Sequence, residues 1–214
     1  MAANFDSDLV KVATTGVMFV AKKADGVTAP KAEINTTTGA IELVAAGAYA
    51  KEGSAADKWS TLGLFNDDGV EHEFSEDTED VKSWQSGTVR TIITGRDLTL
   101  KFGALESSPR VLEAFYGLEP GSVKIEDGGK ASFKIAANAK REPFAAFFVI
   151  RDGDMLWTMH MPNAQVSEVE SPKFSSGQAI TWGMTVKALG DANGNLATWD
   201  ITDPSLNGAL ELAA

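Results

Sequence analysis

Cysteine is missing from all 214 residues. No disulfide or thiolate metal site is therefore open to the chain, which fits folding in a reducing compartment. Histidine is nearly as scarce, with His72 and His160 alone. The two fall in separate expected strands without a third ligand at suitable spacing, which argues for packed or rim residues rather than a metal centre. A basic cluster is lacking as well, and the net charge is −11. A protein that grips a duplex gathers Lys and Arg on one face, and this chain gathers none. Its excess acid has two readings: solubility of a free subunit, or repulsion of a polyanion that must slide past. Residues 17–21 are too short an apolar run for a signal core or a membrane span, and no basic region precedes them. Neither classical secretion nor membrane insertion is expected. Catalytic signatures are missing too. There is no phosphate-cradling Gly-rich loop and no Gly-x-Ser-x-Gly elbow. Asp191-x-Asn193-x-Asn195 begins like a calcium loop, but Leu196 stands where Gly is required and the closing Glu is absent, so a hairpin turn is expected. The chain reads as neither an enzyme nor a cofactor carrier.

What is present is a succession of strands broken by strong turns. Residues 14–22 are apolar on both faces, with Val17, Phe19 and Ala21 against Met18 and Val20, as a covered or central strand requires. Hairpins are expected around Asp127-Gly128-Gly129 and Asp152-Gly153-Asp154, flanked by strands at 122–126, 131–136, 143–151 and 155–162. Met155, Trp157, Met159 and Met161 make an apolar stripe of period two. Residues 178–188 alternate cleanly, with Ile180, Trp182, Met184, Val186 and Ala188 facing one way. A last strand is expected at 196–201. One helix is well punctuated: Ser108 as N-cap, Pro109 in the first turn, Gly117 as left-handed C-cap, and an apolar stripe of Val111, Leu112, Phe115 and Tyr116. It should cover an open edge or end of the core. The five tryptophans, Trp59, Trp84, Trp157, Trp182 and Trp199, sit at spacings that suit core or subunit interface better than glycan or base stacking.

The segment 62–117 is the most specific. Asn66-Asp67-Asp68-Gly69 is turn chemistry, and a strand should follow with Val70, His72 and Phe74 on one face and Glu71 and Glu73 on the other. Asp77 is placed to cap a helical turn over 78–84 that carries Val81 and Trp84 on one side and ends at Gly87. Residues 88–106 form a strand too long for a small core, and a strand that overruns its own core usually serves a neighbour. The block Gly69-Val70-Glu71, Phe74-Ser75, Asp77-Thr78-Glu79-Asp80-Val81 and Trp84-Gln85-Ser86, followed by Val89-Arg90-Thr91, Leu105-Glu106, Val111-Leu112 and Phe115-Tyr116-Gly117, resembles the major tail tube protein of long, flexible-tailed bacteriophages.

That resemblance implies a mainly β fold, a sandwich or barrel-like subunit with one short flanking helix and a long inter-strand arm. It also implies stacked hexameric rings that form the hollow tail tube of a virion, assembled in the host cytoplasm and used as the conduit for DNA ejection. The partners it implies are further copies of the chain, a tape measure protein, a tail terminator and distal tail or baseplate proteins, with DNA passing through unbound. A carbohydrate- or surface-binding β-sandwich module and the tube protein of a contractile secretion system stand as alternatives. One tail tube domain is expected over residues 1–202, with an N-terminal arm at 1–12, a loop or arm at 24–58 and a tail at 203–214. The arm is rich in Gly, Thr and Ala and holds one short apolar run, so it is expected to order on a neighbouring subunit. Subunit or inter-ring contacts are expected at Asp25, Pro30, Ile41 and Leu43 on the arm and at Ile92 and Ile93 on the overlong strand. The acids expected to face the lumen are Glu71, Glu73 and Asp97.

Overall fold

The computed structural model describes residues 7–23, 29–45, 48–49, 59–138 and 140–206. The chain is mainly β, with thirteen strands and one α-helix among the described residues. In order the elements are β1 (Thr15–Lys22), β2 (Lys31–Ile34), β3 (Ile41–Ala45), β4 (Ala48–Tyr49), β5 (Trp59–Thr61), β6 (Phe65–Ser83), β7 (Gly87–Ala104), α1 (Pro109–Tyr116), β8 (Lys124–Glu126), β9 (Lys130–Ser132), β10 (Phe144–Asp152), β11 (Met155–Val169), β12 (Trp182–Ala188) and β13 (Thr198–Thr202).

Eight strands form one antiparallel sheet in the order β5-β1-β10-β11-β12-β7-β6, with β13 pairing the first half of β11. Its two edges, β5 and β6, are consecutive in the chain and separated by residues 62–64 alone. Leu62 donates its backbone N–H to Met18, continuing the pairing of β5 with β1, and Leu105 donates to Leu64, continuing that of β7 with β6. The sheet therefore rolls into a barrel-like sandwich whose seam is a single stretch of backbone. Its interior holds Met18, Leu100, Phe102, Phe148, Met159, Met161, Trp182, Met184 and Val186. Helix α1 plugs one opening with Val111, Leu112 and Phe115, and Phe115 meets Trp182 edge to face with centroids 5.0 Å apart. The helix begins and ends as its punctuation requires: Ser108 accepts from the N–H of Val111, and Gly117 lies at φ 66.

The outside of the barrel is divided. Over β1, β10 and β11 it is apolar, and the small sheet β2-β3-β4 covers it, placing Leu43 against Phe147, Val149 and Leu156. Strand β1 is thus covered on both faces, as its sequence demands. The arm expected at 24–58 is in this part a sheet laid on its own subunit, because Ala32, Ile34, Ile41 and Leu43 supply an apolar face that the barrel wall can bury. Over β12, β7 and β6 the outside is polar and uncovered.

Three expectations are corrected. The helical turn over 78–84 does not exist: these residues continue β6, and Asp77 pairs Gly95 instead of capping a helix. A single helical turn fixes several dihedrals for very few hydrogen bonds, whereas each residue added to this hairpin gains cross-strand partners. Asp80 accepts from the hydroxyls of Thr88 and Thr91, and Glu76 pairs with Arg96 at 2.8 Å. The turn at Asn66–Gly69 is a bulge within β6, where register passes from Phe65↔Ala104 to Val70↔Phe102. Strand β11 does not stop at Pro162. It runs on to Val169 through an irregularity opposite residue 145, and such irregularities are where a strand tolerates a residue without an N–H.

Candidate assembly surfaces

Two features of the polar side stand out, a hairpin that leaves the barrel and a charged face on the barrel itself. Beyond Phe74 and Asp97 the β6–β7 hairpin has no core beneath it, and all but a few of its residues are exposed on both faces. Pairing nevertheless continues to Ser83↔Gly87, where Trp84-Gln85-Ser86 closes a three-residue turn and Gly87 takes the left-handed conformation at φ 70. Two further register shifts, at Thr94 and at Val89, add twist along the way. Apolar side chains ride on it in the open: Phe74, Val81, Val89 and Ile93 are about half exposed, and Trp84 at the tip is 99% exposed. Such a group of bare apolar side chains on a protrusion is unusual for a surface that faces water alone.

Ile92 and Ile93, expected at an interface, lie on this hairpin and point to opposite faces. Ile92 opposes Glu79 and is half-buried, while Ile93 opposes Thr78 and is 51% exposed. Ile41 and Pro30 are half-buried, and Leu43 is packed inside the subunit. Asp25 lies outside the described residues.

Glu71, Glu73 and Asp97 are brought onto one surface, the outer face of the barrel over β6, β7 and β12. Directly opposed residues in antiparallel strands share a face, and the register runs Glu71↔Lys101↔Thr185 and Glu73↔Thr99↔Lys187. Asp97, two residues from Thr99, reaches Lys187 with Oδ2 2.7 Å from Nζ. Two more acids arrive from β11. The register of β11 with β12 passes from Val166↔Val186 to Glu168↔Thr185, leaving Ser167 as an extra residue. One inserted residue reverses which way every following side chain points. Val166 faces the core before it, and Glu168 and Glu170 join the charged face after it. Glu170 donates its N–H to Gly183 and sets its Oε1 2.8 Å from Lys101 Nζ. Gly183 makes this crossing possible, since a Cβ there would lie 2.8 Å from that of Glu170. The hydrogen bond and charge of Glu170, aided by Glu71 and Glu168, hold the Lys101 ammonium above its ordinary value. At these register positions Glu71, Glu73, Asp97, Glu168 and Glu170 face two lysines, Lys101 and Lys187, so carboxylates prevail. Glu168 and Glu170 had no local signal in the sequence, because a one-residue bulge decides which face they occupy, whereas Lys187 follows from the alternation of residues 178–188.

A third feature is a cavity of about 710 Å³ between the end of β1, the C-terminal end of α1 and the start of β10. Arg141 borders it and donates to the carbonyls of Ala114 and Phe115, the last turn of the helix. Glu113 also lines it, buried, and accepts from the backbone N–H of Gly121 and Val123 and from Arg110. Those carboxylate and guanidinium groups are occupied in holding the post-helical loop, which is a structural use. Among the described residues no group of three or more His, Asp or Glu is placed to hold a metal ion.

The family described as phage tail tube protein matches residues 1–210 of the chain. Among curated proteins, none matches. Two of the solved structures that align with it are these. One is a chain of the virion of a native gene transfer agent particle, at 11% identity and a TM-score of 0.38, covering 66% of this chain and 88% of that one. The other is the anti-feeding prophage cap that terminates its tube, at 15% identity and a TM-score of 0.39, covering 66% of this chain and 86% of that one.

Proposed function

This chain belongs to the phage tail tube protein family, a structural family, and we propose that its subunits assemble into stacked hexameric rings whose bore conducts DNA into a host. The observation that carries this reading is the β6–β7 hairpin. Its strands run 19 and 18 residues, far past the end of the barrel core, and end on a bare tryptophan. A lone subunit buries no core by extending that hairpin into water. A neighbour can cover Phe74, Val81, Trp84, Val89 and Ile93 and pair with the free edge of β6. Closed rings follow when one heterologous contact repeats about an axis; sixfold symmetry is what the family resemblance implies.

The polar face holding Glu71, Glu73 and Asp97 is the surface we assign to the bore. An acidic wall repels phosphates and lets a duplex slide. Residues 1–202 act in this reading as one tail tube domain, and the ion pair of Lys11 with Asp203, at 3.0 Å, ties the N-terminal arm to the start of the C-terminal tail. Pro30, Ile41, Ile92 and Ile93 are read as lying at or beside contacts between subunits or rings, with tape measure, terminator and distal tail proteins meeting the tube inside and at its ends. Assembly in the host cytoplasm completes the reading. Negative-stain electron microscopy of the concentrated chain tests it: rings or tubes with a central channel are expected. A chain that stays monomeric at every concentration, even with tail-initiating proteins added, would sink it.

A further inference from the structure

The charged outer face carries lysines that a wall meant to repel DNA would be better without, and both are held by carboxylates of the same subunit. Lys101 Nζ lies 2.8 Å from Glu170, and Lys187 Nζ lies 2.7 Å from Asp97. Half-exposed pairs of this kind contribute little to stability. Stability therefore does not account for the local arrangement that forms them. The Ser167 bulge turns Glu170 outward, and the absence of a Cβ at Gly183 lets it cross β12 to reach Lys101 on β7. Glu71 flanks the same lysine from the other side, directly opposite in register. A free ammonium on the wall would meet DNA phosphate as a contact ion and release counterions on doing so. In a ring of identical subunits the contact would recur around the bore and again in each stacked ring, so weak single contacts would add along the duplex.

We propose that Glu170 and Asp97 are positioning residues that hold Lys101 and Lys187 away from nucleic-acid phosphate, so that the face offers a passing duplex no free cation. This rests on the assignment of the face to the bore. The pairs act as masks rather than as struts: what they change is adhesion, and the fold survives without them. Replacing Glu170 with Gln leaves the side-chain shape and releases Lys101. Replacing Glu168, which shares the face and makes no ion pair among the described residues, removes the same charge while Glu170 keeps its hold on Lys101.

The test uses tubes assembled from purified chain and a short linear DNA duplex, with co-sedimentation measured across a salt titration. For E170Q, retained duplex at low salt should rise at least about threefold over wild type and fall away steeply as salt is added. E168Q should raise it by less than half as much, and the double variant K101M/E170Q should return to the wild-type level. If E168Q matches E170Q, or if K101M/E170Q retains as much duplex as E170Q, net charge alone governs adhesion and the masking role is overturned, while the tube reading stands. If wild-type tubes already bind the duplex tightly and in a salt-sensitive way, the repulsive wall is wrong and the masking role falls with it.

Discussion

The ring of His160 stands edge-on to Trp59, with centroids 6.0 Å apart and planes at 65°, and Phe147 lies 6.4 Å away on the same side of the barrel wall. This is the part of the barrel wall beneath the small sheet. His160 Nε2 has no hydrogen-bond partner among the described residues, and burial pulls the imidazole below its ordinary value, with Asp200 opposing the shift. A depressed histidine stays neutral in the fold while the unfolded chain takes up a proton, so stability falls as pH drops below about 6.5. Denaturant midpoints measured from pH 7.5 down to the onset of carboxylate titration should decline in wild type. In H160Q the decline in that window should flatten; an unchanged slope would mean that another group carries it.

Leu43 anchors the small sheet to the barrel. Truncation to Ala should cost about 2–4 kcal/mol, the usual loss for a buried leucine, because Phe147, Val149 and Leu156 stay behind to line the void. Urea unfolding of L43A measures this directly. A change under about 0.5 kcal/mol would show that the sheet is dispensable to the fold.

Glu113 is a carboxylate at 5% exposure that satisfies two loop N–H groups, from Gly121 at 2.7 Å and Val123 at 3.2 Å. Its removal leaves the Val123 N–H buried without a partner, while the N–H of the exposed Gly121 can turn to water. E113A should lose about 2–3 kcal/mol, with E113Q losing less because one amide oxygen can still accept. Equal losses in the two variants would place the stabilisation in the pairing with Arg110 instead.

Trp84 should matter to assembly and hardly at all to folding. W84S should unfold within about 0.5 kcal/mol of wild type, since the side chain touches so little of its own subunit. Ring or tube yield by electron microscopy should fall severalfold. Normal tubes from W84S would remove the hairpin tip from the interface, and a large stability loss would show that the tip packs within the subunit.

Legibility in the sequence followed the range of the interaction involved. The α1 caps depend on residues three to nine positions apart, and Ser108, Pro109 and Gly117 could be read directly. The turn at Asp191 behaves the same way: its carboxylate accepts from the N–H of Asn193 and Asn195, as the spacing suggests. Alternation in β12 identified its buried face, and Trp182, Met184, Val186 and Ala188 are all buried. The acidic run at 76–80 misled because Asp and Glu near a Trp suit a helix start, and the partners that make it a strand, Thr88, Thr91 and Arg96, lie on the other arm of the hairpin. The same distance hid the small sheet, whose apolar face has meaning only against β10 and β11.

Strand periodicity, turn residues and capping are local consequences of backbone sterics and hydrogen bonding, and they were enough to establish an all-β subunit with one helix, its buried faces and the common side of Glu71 and Glu73. Which acids share that side with Asp97, and which lysines they hold, depended on register among β7, β11 and β12, strands far apart in the chain or joined through a bulge. A single extra residue at Ser167 reverses the facing of everything after it. Pairing energy summed across the sheet selects that register, and no window of sequence contains the sum.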